Sequence, residues 1–204
     1  HIPDRTSDAL AASLYGNYLT AIHGLRDRGR LQSGETLMVL GASGGVGTAA
    51  VAVAKCMGAR VIAGASTAAK REVALACGAD AAVDYTQENW RKELKTLCPA
   101  GPDVVYDPVG GHVSEPAFRS IGEGGRFLVV GFAAGEIPRI ALNLPLLKTA
   151  AIVGVNWGGL SAEHPEENVK LAATLIDWLG SGKLAPAPVS ARPAADFVAA
   201  FEDQ

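Results

Sequence analysis

The sequence has few aromatic residues, few charges and only three cysteines in 204 residues. Aromatic residues make up 6% and charged residues 19%, against 49% hydrophobic residues, so the chain is too apolar to remain disordered. A formal net charge of −3 offers no broad basic surface for nucleic acid or an anionic membrane. No apolar run approaches the ~20 residues that span a bilayer, and the first residues do not resemble a cationic, apolar leader. These absences favour a soluble cytoplasmic protein with neither a nucleic-acid nor a membrane partner.

The cysteines and histidines show no metal-binding pattern. Cys56, Cys77 and Cys98 are evenly spaced 21 residues apart, whereas zinc sites use close pairs such as C-x-x-C. The histidines are scattered, with no H-E-x-x-H segment. We therefore predict free thiols and no metal.

Short apolar runs alternate with helical segments along most of the chain. Such alternation predicts βαβ units, and the right-handed crossover rule makes them a doubly wound, parallel, six-stranded α/β sheet (a Rossmann fold) with helices on both faces. We expect one domain over 1–204 with its core at about 35–158. The six predicted strands are 36–41, 60–65, 81–85, 103–107, 126–131 and 150–156, and the outer helical segments are 7–30, 165–179 and 194–201.

A glycine-rich turn follows the first predicted strand and opens the next helix. It reads Ala-Ser-Gly-Gly-Val-Gly over 42–47, where a dinucleotide fingerprint would have Gly-x-Gly-x-x-Gly. Gly44 would let the main chain approach a pyrophosphate, and Gly47 would let the helix pack closely on the strand. The N–H groups of Gly45 and Val46 would point at phosphate oxygens. The alternative is a turn that serves packing alone.

The segment after the second strand bears on the type of nucleotide. NAD sites place a carboxylate ~20 residues beyond the glycines to hold the ribose hydroxyls. Here Ser66 and Thr67 are followed by Lys70 and Arg71, and no carboxylate comes before Glu72. Hydroxyls and cations suit a 2′-phosphate, which a carboxylate would repel. The pattern favours NADP(H).

Two other classes of function remain open. Residues 41–45 also spell G-x-S-x-G, so Ser43, Asp107 and His164 could in principle form a serine-hydrolase triad. Against that hypothesis, no H-G-G-G element precedes the turn, and a hydrolase does not need Gly47. A nucleotide-binding module without catalysis is the second alternative.

Several longer strings resemble one family. The segments 40–47, 78–85 and 103–111 are similar to zinc-independent medium-chain dehydrogenase/reductases. The segments 125–138 and 153–158 resemble the NADPH:quinone oxidoreductases of the zeta-crystallin type, in which Ala42 also fits. The resemblance implies transfer of a hydride from NADPH to a quinone or an activated alkene.

The resemblance also implies an NADP(H) site, residue by residue. The pyrophosphate would be held by Gly44, Gly45 and Val46. The 2′-phosphate would be surrounded by Ser66, Thr67, Lys70 and Tyr85. The riboses would be lined by Val109, Gly131 and Phe132. The nicotinamide would be flanked by Asn156 and Trp157, with Thr20 nearby.

The family's other features imply limits on this chain. Members carry a GroES-like domain that shapes the substrate pocket, and the sequence shows no counterpart of it. We therefore expect the chain to bind NADPH without reducing quinone, and we identify no catalytic acid or base. Members pair through the sixth strand, so a homodimer is expected.

Overall fold

The structure, a computed structural model, describes residues 2–3 and 6–202; the remaining end positions of the predicted domain lie outside this description. Six strands form one sheet in the order β3-β2-β1-β4-β5-β6, and every neighbouring pair is parallel. The strand order therefore reverses between β1 and β4, where such sheets open a crevice at their carboxyl end. The strands are β1 Thr36–Leu40, β2 Arg60–Gly64, β3 Ala81–Val83, β4 Val104–Asp107, β5 Arg126–Val129 and β6 Ala151–Gly154.

Helices connect the strands and continue beyond them. The α-helices are α1 Asp8–Ile22, α2 Gly45–Cys56, α3 Ala68–Ala76, α4 Trp90–Leu97, α5 Ser114–Ser120, α6 Asn143–Lys148, α7 Trp157–Glu163, α8 Pro165–Gly180 and α9 Phe197–Glu202. A π-helical segment, His23–Arg28, continues α1. The sequence did not predict α6 and α7, because each has at most seven residues and too few turns to show an apolar period.

Both faces of the sheet are covered, as the sequence predicted. Leu37 and Val39 of β1 belong to a core shared with α1, α2 and α8. Met38 and Leu40 belong to a second core under α4 and α5. Since successive strand residues point to opposite faces, a continuous apolar strand is buried on both sides.

The observed strands are one or two residues shorter at their carboxyl ends than predicted, except for β4. Residues such as Ala65, Tyr85 and Gly131 therefore lie in loops beyond the ladder. This places them along the carboxyl end of the sheet. None of the helices within the described residues is long and apolar enough to cross a membrane.

Candidate functional site

The N-terminus of α2 presents free backbone donors. Gly44 is the N-cap residue and provides no side-chain cap. Within the described part of the chain, the N–H groups of Gly45, Val46 and Gly47 have no acceptor. Three unsatisfied donors and the positive end of the helix dipole together suit an anion.

The glycines of this turn are needed for different structural reasons. A Cβ on Gly47 would meet the carbonyl oxygen of Gly41, and it would lie 2.8 Å from Cα of Ala42. Gly41 itself has φ +60, a conformation that side chains disfavour. Gly44 is less constrained, because its nearest neighbour would be the Gly41 oxygen at 3.6 Å. Gly47 thus fixes the approach of helix to strand, and Gly44 leaves space on the outer side.

The N-terminus of α2 forms one wall of a groove, and the ends of β2 and α3 form a second wall. Thr67 is the N-cap residue of α3, and its hydroxyl accepts from the backbone N–H of Lys70 at 3.2 Å. Of the two predicted cations, Arg71 is paired with Asp84, with Nη1 to Oδ2 at 2.8 Å. Lys70 has no ion pair among the described residues and lines the crevice. Lys70 is therefore the cation available to a ligand.

Tyr85 closes this wall after β3. Its ring lies over Gly64, where a Cβ would be 3.1 Å from Cδ1 of the ring. Burial raises the pKa of Tyr85, although a hydrogen bond with Ser66 acts in the opposite direction. The phenol therefore stays protonated at neutral pH and can donate a hydrogen bond.

The third wall is held by a buried carboxylate at the end of β4. Oδ1 of Asp107 accepts from the backbone N–H groups of Val109 at 2.8 Å and Gly110 at 2.9 Å. Its Oδ2 accepts from the hydroxyl of Ser114 at 2.5 Å. Asp107 is only 3% exposed, so these contacts fix the loop from inside the protein.

The loops after β4 and β5 are joined by their main chains. The backbone N–H of Ala133 donates to Pro108 at 3.1 Å, and that of Ala134 donates to Val109 at 2.8 Å. Gly131, after β5, donates to the carbonyl of Asp107 at 3.3 Å. Two loops from neighbouring strands thus form one continuous wall.

The three walls enclose a groove of about 460 Å³. Seven of the predicted site residues line it: Gly44, Gly45, Val46, Ser66, Lys70, Tyr85 and Val109. Thr67 lies beside it as a helix cap, and Phe132 follows Gly131 in the loop that adjoins it. These assignments remain predictions about a ligand, but the fold brings most of them to one place.

The residues predicted near the nicotinamide do not line this groove, although Asn156 and Trp157 lie at the same end of the sheet. Asn156 follows β6, and its side chain accepts from the backbone N–H of Gly159 at 2.9 Å at the start of α7. Thr20 lies on α1, where its hydroxyl donates to the carbonyl of Gly16 at 2.7 Å. Contacts with a nicotinamide are therefore untested predictions for these residues.

A clamp on Trp157 was missed by the sequence analysis. The indole N–H of Trp157 donates to Oδ1 of Asn168 at 3.0 Å. The amide of Asn168 in turn donates to the hydroxyl of Tyr15 at 2.8 Å, and the rings of Tyr15 and Trp157 meet edge to face at 5.6 Å. Tyr15 and Asn168 are 153 positions apart, so no local pattern could have joined them.

The serine-hydrolase hypothesis lacks its geometry. Asp107 uses both carboxylate oxygens on its own loop and on Ser114. His164 lies at the junction of α7 and α8, and its Nδ1 is 3.8 Å from Glu166. Ser43 makes no hydrogen bond to either residue in the described part of the chain. A triad is not assembled.

The cysteines do not form a metal site in the described residues. Cys56, Cys77 and Cys98 are free thiols, and burial raises the pKa of the first two. No group of three or more cysteine, histidine or acidic side chains in residues 2–3 and 6–202 could hold a metal ion.

Comparison with known proteins agrees with this geometry. The family model described as "Zinc-binding dehydrogenase" matches residues 45–174. A quinone oxidoreductase-like protein 2 homolog from Nematostella vectensis is 37% identical over 192 residues, which are 93% of this chain and 52% of that protein. The chain thus spans about half the length of the curated relatives it matches.

Solved structures show the same fold. The quinone oxidoreductase from Thermus thermophilus, whose complex with NADPH is also known, is 30% identical with a TM-score of 0.84, and the match covers 99% of this chain and 64% of that one. The nucleotide-binding subdomain of the enoylreductase domain of PpsC from Mycobacterium tuberculosis is 31% identical with a TM-score of 0.73. That match covers 83% of this chain and 96% of the subdomain. The chain therefore belongs to the zinc-binding dehydrogenase family, among the medium-chain dehydrogenase/reductases that its motifs resemble.

Proposed function

We propose that this chain binds NADP(H) in the groove and is the cofactor domain of an oxidoreductase. The complete enzyme would pass a hydride from NADPH to a quinone or an activated alkene. The observation that carries the proposal is the pairing of three free N–H groups at the start of α2 with an unpaired Lys70 across the same groove. NADPH complexes of similar proteins, such as the Thermus thermophilus enzyme, support the choice of cofactor.

The walls of the groove would bind different parts of the cofactor. The N–H groups of Gly45, Val46 and Gly47 would hold the pyrophosphate, helped by the helix dipole. Lys70 would pair with the 2′-phosphate, to which the protonated phenol of Tyr85 can donate. Lys70 makes the site favour NADP(H) over NAD(H), because the extra phosphate is the difference between them.

The residues of the groove bind and orient the cofactor. The titratable side chains that line it are Lys70 and Tyr85, and the raised pKa of Tyr85 keeps its proton in place at neutral pH. When bound, the nicotinamide supplies the hydride. The groove is open to solvent, while hydride transfer needs a substrate held close with water excluded. We therefore infer that the 204-residue chain binds NADPH but does not reduce quinone.

We also propose that a second copy of this chain pairs along β6. This strand is an edge of the sheet, and its outer side has no partner strand among the described residues, although the carbonyl of Gly154 accepts from Nε of Arg28 at 3.0 Å. Ile152 on β6 and Leu142, Leu146 and Leu147 before it are exposed apolar residues, an arrangement typical of an interface. Sedimentation of the chain tests this, and a monomer at high micromolar concentration contradicts it.

Titration calorimetry with NADPH and NADH tests the cofactor assignment. Lys70→Glu should weaken NADPH binding at least tenfold, because it replaces an attractive charge by a repulsive one. NADH binding should change by less than about threefold. Lys170→Glu on α8 changes the net charge equally and should leave both affinities unchanged. Equal weakening of both coenzymes by Lys70→Glu, or no binding of either one, contradicts the proposal.

A turnover assay tests the inference that the chain does not reduce quinone by itself. Quinone or enone reduction by the 204-residue chain alone would contradict the inference that it is inactive. A longer protein that contains this domain, binds NADPH and reduces neither acceptor would indicate a nucleotide-binding role without catalysis.

A further inference from the structure

A second cavity lies at the opposite end of the sheet from the groove. It has a volume of about 510 Å³ and is bounded by α4, α5 and the end of α6. These helix ends precede the starts of β4, β5 and β6, so the cavity is at the amino end of the strands. It is lined by Arg91, Lys92, Leu94, Lys95, Cys98, Ala100, Arg119, Ser120, Ile121 and Lys148.

Half of these lining residues are cationic, and none is acidic. Arg119 is paired with Glu115 on its own helix at 2.5 Å. In the part of the chain that the structure describes, the other four cations form no ion pair, not even with Glu88, Glu93 and Glu123, the neighbouring carboxylates along the chain. The cavity is basic although the chain carries a net negative charge.

The cations do contact neutral acceptors at the cavity wall. Nε of Arg91 donates to the hydroxyl of Ser120 at 3.0 Å, and Nζ of Lys148 donates to the carbonyl of Ile121 at 2.6 Å. Lys95 donates to the carbonyl of Pro99. These contacts hold the charged groups in place, but they do not neutralise them.

The ends of the helices cannot balance so much charge. Each helix C-terminus carries roughly −0.5 of a charge, so α4, α5 and α6 together supply about −1.5. With Glu115 the negative charge reaches about −2.5, against five cations. Burial lowers the pKa of Lys148, and repulsion from Lys95 and Arg91 lowers it further. An uncompensated excess of about two and a half positive charges remains.

We propose that this cavity binds a diphosphate group, free or as part of a small organic molecule. Two or more negative charges would match the excess, and the volume is within the range of small-molecule sites. Arg91 and Lys148 each keep a charged group for phosphate oxygens. Leu94, Cys98 and Ile121 provide an apolar floor for an organic body. The site is separate from the groove and does not depend on its cofactor.

Calorimetric titration with inorganic pyrophosphate tests the site. All variants are built on Lys70→Gln and are titrated in excess NADH, so that neither the cation nor the main-chain N–H groups of the groove contribute to pyrophosphate binding. Adding Arg91→Gln and Lys148→Gln should weaken pyrophosphate binding at least tenfold. The matched pair Lys170→Gln and Lys183→Gln removes the same charge elsewhere and should change it less than about twofold. Equal weakening by the two pairs, or no binding before they are introduced, overturns the proposal.

A second measurement locates the ligand in the unaltered chain. Pyrophosphate should protect Lys95 and Lys148 from acetylation, as read by mass spectrometry, and should leave Lys170 reactive. Uniform reactivity with and without pyrophosphate overturns the proposal even if a variant fails to fold. An alkyl diphosphate separates the sources: tighter binding than pyrophosphate assigns an organic ligand, and equal binding assigns the free diphosphate.

Discussion

The two ends of the sheet form their sites from different chemical groups. At the carboxyl end, the groove is formed by glycines, main-chain N–H groups and a buried carboxylate that serves the main chain. At the amino end, charged side chains join separate elements, as Arg126 joins Glu35, and others surround the basic cavity. A main-chain site depends on accurate backbone position, whereas a side-chain site depends on the number of charges. The carboxyl end should therefore tolerate far less change.

The largest effect is expected at Gly47. Gly47→Ala places a Cβ against the carbonyl of Gly41 and 2.8 Å from Ala42, and backbone atoms cannot move aside cheaply. The free energy of unfolding should fall by about 3 kcal/mol, measured by urea denaturation. Gly44→Ala is the control, because its Cβ has room; it should change stability by less than about 1 kcal/mol while weakening NADPH binding. Equal destabilisation by both changes would contradict this difference.

A slightly smaller effect is expected at Asp107. Asp107→Ala leaves two N–H groups and the hydroxyl of Ser114 without their acceptor, which should cost about 2 to 3 kcal/mol of unfolding free energy. Ser114→Ala removes a single bond and should cost about 1 kcal/mol. Thermal and urea unfolding of both variants check the order, and a larger loss in Ser114→Ala would show that the loop does not depend on the carboxylate.

At the amino end, acid should have a moderate effect. Burial alone would raise the pKa of Glu35, but hydrogen bonds from Arg126 and from the N–H of Gln32 outweigh it and lower the pKa below the ordinary 4.5. Its stabilising contribution is therefore complete above pH 4.5 and is lost as pH falls through the lowered value. The unaltered chain should exceed Glu35→Gln in unfolding free energy by about 1 kcal/mol at pH 7. This difference should be smaller at about pH 3. Urea denaturation of both proteins at both pH values measures this difference, and an equal difference at the two pH values would contradict the prediction.

The smallest effect is expected in the interior between the two ends. The hydroxyl of Tyr106 is buried and has no hydrogen-bond partner among the described residues, so Tyr106→Phe should raise the unfolding free energy by about 0.5 to 1 kcal/mol. Tyr18 is the control, because its hydroxyl accepts from the N–H of Ala187 at 2.9 Å. Tyr18→Phe should lower stability by about 1 kcal/mol. A loss in both variants would show that Tyr106 has a partner.

The same contrast explains what the sequence could predict. The glycine turn is contiguous, so its place between strand and helix and the close approach at Gly47 were predicted correctly, as were all six strands and their parallel direction. Lys70 and Arg71 are equivalent in the sequence, and only the contact with Asp84 separates them. The sequence offers Asp107 as a member of a triad, although it holds a loop. The Asn168 clamp and the basic cavity join residues far apart in the chain, so no local spacing indicated them.

The three hydrogen bonds of Asp107 have a consequence for how a ligand enters the groove. The loop after β4 gives up its conformational entropy when the protein folds, and not when the ligand arrives. Association should then proceed in a single kinetic phase, without a slow ordering step. The groove would be a preformed binding site, and its ligands would differ in affinity mainly because they differ in dissociation rate.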